Sequence, residues 1–400
     1  MLKEMINECR ITFSLKTEGP VLIKKPINKN ECTEDEKRYY QNIFGLGQND
    51  RLPDAFFVRT LRQGRLVPYV PGSSLKGVMR SHAERIARTL MPSSGTDEST
   101  LGCCDIFQSG GLQKGEEIAQ DLACSSKFQL YKDYGKGFPL NGEDVYRSSC
   151  PVCKLFGNGF LQSRLLIPDG YNHVYHDAQA SIIKNSKPQN IRLSKRDGVG
   201  IDRYTGGNVS GVKFDFEVEE NAVFRFNDIV IKNFDLWQLG LIGYLFQDFK
   251  ELLIKIGFGK SRGLGTVSGS VEGMKVIHYG QRKPSEGKIS GIFHFLRKSE
   301  YYTKEEKEMT GGEVDLPALT TPASEGYRRI CSFNNKQAEK FLASCCETFS
   351  NGSDTGYLNG NLYRIPLEMR KSALENIKGE ALEEAKKKEE SPVEEENDHG

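Results

Sequence analysis

Four hundred residues exceed the usual single-domain size of about 100 to 200, so the chain is long enough for one elaborated domain or two modules. With 37 % hydrophobic and 27 % charged residues and 41 glycines, the composition is that of a loop-rich globular protein and excludes wholesale disorder. The formal net charge of +1 hides an asymmetry: residues 380–400 carry nine acids against three lysines, which leaves the preceding body at +7 and suited to an anionic partner.

Taken in chain order, Cys9 to Thr17 alternates apolar and polar with period two and reads as a half-buried first strand. Residues 18–52 break into Gly, Pro, Asn and mixed charge, too long for a hairpin loop. A second strand fits Phe56 to Leu61, and Arg65 to Val70 leads through Pro71 and Gly72 into a helix. Leu75, Val78, Met79, His82, Ile86 and Leu90 mark one face of that helix, with Ser73 or Ser74 as its cap. Pro92 ends it, and residues 93–149 read as an insertion without sustained periodicity. Strand-like runs follow at Leu161 to Pro168, Val212 to Val218 and Ala222 to Ile231, then a helix from Asp235 to Ile254. Polar residues Gln238, Gln247, Asp248, Lys250 and Glu251 mark that helix as buried in protein rather than in a membrane. A Gly-rich turn, Gly257 to Gly265, and a strand from Thr266 to Tyr279 complete the pattern. This order predicts an α+β fold of ferredoxin-like topology, helices on one face of a largely antiparallel sheet. The expected organisation is a core over 1–280, an extension of unknown fold over 281–375, and a disordered charged tail over 376–400. No secretory signal or anchor is visible at the N-terminus, and the ten cysteines read as thiols or metal ligands, so a cytoplasmic location is expected.

Cys150-Pro-Val-Cys153 is a knuckle whose spacing lets two thiolates reach one tetrahedral zinc ion. Cys103, Cys104 and Cys124 lie upstream, and Cys104, Cys124, Cys150 and Cys153 form the favoured set, with Cys103 in reserve for Cys104. Unligated thiols are the plainer reading. Cys331, Cys345 and Cys346 read as buried packing.

Two segments suit phosphate. Between residues 59 and 88, Arg59, Arg62, Arg65, Lys76, Arg80, Arg85 and Arg88 face a single acid, Glu84. Within this stretch the start of the PGSSLKG helix offers first-turn amides and the hydroxyls of Ser73 and Ser74 beside Lys76 and Arg80. The glycines of Gly257 to Gly265 allow close backbone approach while Lys260 and Arg262 supply cations. A nucleotide-hydrolysing loop is excluded, because its first glycine position holds Ile254. His173, His176 and Asp177 read as a polar loop rather than a metal or acid–base group.

Four motifs in order, VPGSSLKGVMRSHAERIAR (Val70 to Arg88), CPVCKLFGN with SRLLIPD (Cys150 to Asp169), RDGVGIDRYTG (Arg196 to Gly206) with KFDFEV, and GFGKSRGLG (Gly257 to Gly265), resemble the RAMP superfamily, specifically backbone subunits of the Cas-seven type from type III CRISPR effector complexes. The resemblance spans residues 9 to 275 and implies a core like an RNA-recognition motif and a thumb hairpin at about 184–218. It further implies binding to CRISPR guide RNA and complementary target RNA, and assembly with other RAMP, large and small effector subunits. It places Ser73, Ser74, Lys76, Arg80, Lys260 and Arg262 on the guide, with Arg59, Arg196 and Arg203 as further RNA contacts. Active family members carry an aspartate before the second strand; Asp54 matches it, with Asp50 the runner-up. Such a carboxylate would recruit Mg2+ or Mn2+ or orient a ribose 2′-hydroxyl for in-line attack, leaving a 2′,3′-cyclic phosphate and a 5′-hydroxyl, while Arg59 stabilises developing charge. Three functions follow from the resemblance: a target-cutting backbone subunit, a non-catalytic architectural relative, and a guide-processing endoribonuclease, the last disfavoured by the absence of an early-loop histidine.

Overall fold

The computed structural model describes residues 4–25, 52–62, 65–90, 103–107, 122–134, 142–172, 194–296, 312–317 and 322–350, with a few isolated positions between 34 and 47. Asp50, the 173–177 histidine loop, residues 184–193 and the tail beyond 350 lie outside them.

The ferredoxin-like unit is assembled from β1 (Asn7–Thr17), α1 (Gly72–Leu90), the short strands β4 (Leu165–Leu166) and β5 (Gly170–Asn172), β8 (Val223–Lys232), α5 (Leu236–Lys250) and β9 (Val267–Tyr279). β1 lies between β8 and β9 and is antiparallel to both, with a bulge on the β8 side between Ile11 and Phe13. The sheet then runs outward through β5 to β3 (Arg65–Val70) and β2 (Arg59–Arg62), while β4 also pairs with β8. This places the unit's fourth strand beside its first, followed by the third and second, which is the ferredoxin-like order.

The alternation read from β1 has a direct packing consequence. Phe13 and Leu15 point toward the helices, where Phe13 stacks on Phe246 at 4.4 Å and meets Phe249 at 5.7 Å. Each such fully buried ring contributes about 1.5–3 kcal/mol relative to exposure. On the opposite face charged side chains pair locally, Arg225 with Glu272 at 2.6 Å and Lys16 with Glu18 at 3.1 Å.

Helix α1 departs from its expected face and cap. Leu75 and Met79 are buried as expected, but Ala83 and Ala87 are buried too, while Val78, Ile86 and Leu90 are half-buried. Small alanines let the helix approach its neighbours, α4 (Pro151–Phe156) and α5, so the buried stripe is rotated from the one drawn through bulky residues. Ser73 and Ser74 are exposed within the first turn and are not the cap: the Gly72 N–H donates to Asp169 Oδ1 at 2.9 Å, and the Leu75 N–H donates to the Pro71 carbonyl at 3.1 Å.

Between α1 and α4 the chain forms α2 (Cys124–Tyr134) and α3 (Gly142–Arg147). Strands β6 (Ser194–Ile201) and β7 (Asn208–Val218) form a separate two-stranded hairpin. The C-terminal region joins the main sheet. After β10 (Lys288–Ser290), α6 (Ile292–Phe295), β11 (Glu313–Asp315) and β12 (Ala323–Glu325), strand β13 (Arg328–Asn334) pairs with β9. Helix α7 (Asn335–Ser350) then covers α5. That contact is close enough to require glycine: a Cβ on Gly240 would lie 2.2 Å from the Cys345 carbonyl oxygen. Helix α5 is therefore enclosed between sheet and helix, which explains its nearly all-apolar sequence. Among the described residues no helix is long and apolar enough to cross a membrane.

Candidate nucleic-acid interface and metal centre

The knuckle before α4 brings four cysteines together. The Sγ atoms of Cys104, Cys124, Cys150 and Cys153 all lie within 4.8 Å of one another, and all four residues are buried. Cys104 is 3.6 Å from Cys150 and 3.7 Å from Cys153. A tetrahedron with metal–sulfur bonds of about 2.3 Å has edges of about 3.8 Å, so this spacing is that of a tetrathiolate ligand set and far longer than a disulfide. Local backbone geometry presents the sulfurs: the Cys153 N–H donates to Cys150 Sγ, and the Cys150 N–H to Cys124 Sγ, each at 3.4 Å. The thiols polarise one another. Hydrogen bonds from Cys104, Cys150 and Cys153 hold Cys124 well below the ordinary thiol range, whereas burial pushes Cys150 up and hydrogen bonding with Cys104 pushes Cys153 up. Cys103 does not join them; its Sγ faces the Glu84 carbonyl at 3.6 Å. The donor set is compatible with a structural zinc ion.

The basic stretch read between residues 59 and 88 is divided by the fold. Arg80 donates to the Gly157 carbonyl at 3.0 Å and to Cys153 Sγ at 3.3 Å, so its charge supports the thiolate cluster. Lys76 donates to Ser163 Oγ at 2.7 Å and the Leu165 carbonyl at 3.1 Å, and burial lowers its pKa. Arg88 donates to the Cys104 carbonyl. Arg59 is withdrawn completely: its guanidinium is 3 % exposed and pairs through both amino groups with Glu217, which is 0 % exposed. As an RNA-contacting or charge-stabilising cation Arg59 is misplaced, because the Glu217 carboxylate neutralises it away from solvent. Of the cations in this stretch, Arg62, Arg85 and Arg88 are exposed, Arg85 and Arg88 on α1.

Asp54 sits where the segment before β2 runs along the hairpin. Its N–H donates to the Asp215 carbonyl at 2.8 Å, and the Asp215 N–H donates back to Asp54 Oδ2 at 3.2 Å. Lys195 pairs with Asp215 at 2.5 Å. One register further along, the Phe57 N–H donates to Glu217 Oε2 at 2.9 Å. Asp215, Glu217 and Glu219 thus form a row of largely buried acids along one side of this strand. Burial pushes the Glu219 carboxyl up to about 8, with the Glu217 charge adding to the rise and Arg59 opposing it. Sequence reading missed this row, although the alternation in FDFEVEE was its visible signal. Among the described residues the four cysteines are the one group of three or more that gathers ligand atoms for a metal, and Asp54 belongs to no such group.

The Gly-rich turn presents what the basic helix does not. Gly257, Gly259, Gly263 and Gly265 all have positive φ, and the Phe258 N–H donates to the Leu22 carbonyl at 2.7 Å, which pins the turn to the loop after β1. Lys260 and Arg262 are exposed here. Burial and the neighbouring Arg85 charge lower the Lys260 pKa, so α1 and the turn form one positive surface. On the hairpin, Arg203 is exposed in the turn that joins β6 to β7, and Arg196 is exposed but paired with Glu220 at 2.6 Å.

No curated protein matches this chain. A family model described as the RAMP superfamily matches residues 14–268, from within β1 to the start of β9 and across the hairpin and the cysteine centre. The chain belongs to the RAMP superfamily, and that membership supports a CRISPR-associated, RNA-binding subunit.

Proposed function

We propose that this chain is a guide-RNA-binding backbone subunit of a type III CRISPR ribonucleoprotein. The observation that carries this reading is the exposed positive surface of Arg85, Lys260 and Arg262 around the Gly-rich turn, a natural seat for a phosphodiester backbone. The β6–β7 hairpin serves as the thumb, with Arg203 at its turn reaching RNA, and Ser73 and Ser74 offer exposed hydroxyls at the start of α1. Arg80 ties Cys153 and the Gly157 carbonyl to α1, and Lys76 ties the segment from Ser163 to Leu165 to it. A zinc ion bound by Cys104, Cys124, Cys150 and Cys153 would hold the insertion to the core. Target RNA pairs with the guide, so base pairing supplies sequence specificity, and other effector subunits complete the assembly.

In the catalytic form of this reading Asp54 promotes cleavage of the paired target by 2′-hydroxyl attack with Mg2+ or Mn2+. A specific observation favours the architectural form instead: the Asp54 carboxylate accepts the Asp215 N–H, and among the described residues it belongs to no group of three or more side chains that gathers ligand atoms for a metal. The two forms separate in a complex reconstituted with guide RNA and partner subunits, given labelled complementary RNA and magnesium. Cleavage by the wild type that disappears in Asp54→Asn with target binding intact establishes the ribonuclease. Equal cleavage in both proteins, or none in either, assigns the architectural role. Failure of the chain to associate with guide RNA overturns the whole reading.

A further inference from the structure

An aromatic ring on the Gly-rich turn lies between a cation of the turn, Arg262, and one of the loop after β1, Lys24. Phe258 is 41 % exposed, and its backbone is held by a 2.7 Å hydrogen bond to the Leu22 carbonyl. It is flanked by two glycines in the left-handed region, Gly257 at φ 76 and Gly259 at φ 74. A Cβ on Gly257 would lie 2.3 Å from the Leu22 carbonyl oxygen, so the turn has one geometry and the ring one place in it. Lys24 Nζ lies 5.7 Å from the ring centroid and the Arg262 guanidinium 6.0 Å. The same guanidinium lies 5.2 Å from the ring of Phe214 on the hairpin.

A single exposed phenylalanine is ordinary, and the charges around it decide its meaning. On the open face of the sheet, Lys16 and Arg225 have carboxylate partners. Among the described residues Lys24, Arg85, Lys260 and Arg262 have none. An exposed aromatic ring within a ring of uncompensated cations is the arrangement that binds single-stranded nucleic acid, the base stacking on the ring and the phosphates meeting the cations. A folded protein partner with a carboxylate surface would match the charge but leave the ring without purpose.

Resting on the reading of this surface as an RNA site, we propose that Phe258 is a stacking platform for one unpaired RNA base, with Lys24 and Arg262 holding the phosphates on either side of it. Recognition through a π-face is tolerant of sequence, and it requires the stacked nucleotide to be splayed from any duplex. The platform thus marks a place where the bound strand is unpaired.

The test uses the full chain and two fluorescently labelled probes of equal length and charge, a single-stranded oligouridylate and an abasic ribose-phosphate oligomer. The wild type is expected to bind the oligouridylate about 5- to 100-fold more tightly than the abasic probe. Phe258→Ala should bring the two affinities together while leaving abasic binding unchanged, and Phe258→Trp should restore the gap. The chain's single tryptophan, Trp237, is buried, so Phe258→Trp also adds an exposed fluorophore that oligouridylate should quench and the abasic probe should not. Equal affinity of the wild type for both probes overturns the platform and leaves phosphate binding standing. An unchanged gap in Phe258→Ala also overturns it. Absence of binding to either probe overturns the RNA site itself, and the platform with it.

Discussion

Arg59 and Glu217 are separated by 158 residues and meet in a two-pronged ion pair almost closed to solvent, with side-chain exposures of 3 % and 0 %. The pair joins the strand that follows Asp54 to the base of the β6–β7 hairpin, so it sets where the hairpin leaves the core. Removing one partner strands a buried charge. Arg59→Ala or Glu217→Ala should destabilise the protein by about 3–5 kcal/mol, and the joint replacement Arg59→Met with Glu217→Leu should recover most of that loss. Urea midpoints of the three variants measure this; single losses below about 1 kcal/mol would show that the pair is solvated.

Glu219 makes stability depend on pH in an unusual direction. Its carboxyl titrates near 8 in the folded chain and near 4.5 when unfolded, so between these values the folded state binds the extra proton. Stability from this group is fully present below pH 4.5 and is lost as pH rises through 8. Glu219→Gln keeps a hydrogen-bonding group without the charge and should raise stability relative to wild type at pH 8.5, by on the order of 1 kcal/mol or more, with the advantage shrinking toward pH 5. Thermal midpoints across that range decide it, and a pH-independent difference would remove Glu219 as the source.

The cysteine centre predicts its own stoichiometry. Under the zinc proposal, purified protein should hold one zinc per chain by elemental analysis, reduced strongly in Cys124→Ser and Cys153→Ser and unchanged in Cys103→Ser, whose sulfur faces a backbone carbonyl. Chelation should lower the melting temperature because binding energy of a structural site is folding energy. Loss of metal in Cys103→Ser would show that the ligand set is misassigned.

Gly240→Ala tests the α5–α7 contact. Alanine favours a helix over glycine by about 1 kcal/mol, but its methyl group would meet the Cys345 carbonyl oxygen at 2.2 Å. Overpacking of this kind costs about 1–3 kcal/mol, so a net loss is expected, read as a lower urea midpoint. A gain would mean that α7 is free to move away.

The legible parts of the sequence were those governed by local periodicity. β1, α5 and β9 announced themselves by period-two alternation or a long apolar run, and the CPVC spacing with three upstream cysteines named the four thiols that the fold gathers. The illegible parts depended on distant partners. A basic residue looks the same in sequence whether it faces solvent or Glu217, so Arg59 was read as surface charge. Lys76 and Arg80 likewise have partners that local pattern does not reveal, since Ser163, Gly157 and Cys153 lie far along the chain. The buried stripe of α1 depended on two alanines whose smallness matters only once α4 and α5 are in place. Strand β13, RRICSFN, begins with two arginines and offers little alternation, and its role appears only as a partner of β9.

The position of β1 between β8 and β9 has a consequence for synthesis on the ribosome. Most of residues 7–17 are buried in the finished sheet, yet their ladder partners begin at residue 223 and end at residue 278. At about 5–20 residues per second, translation separates the emergence of β1 from that of β9 by tens of seconds. Until β8 emerges this central strand has no ladder partner, and until β9 follows it has only one, so for most of synthesis its apolar face depends on early collapse or on chaperones.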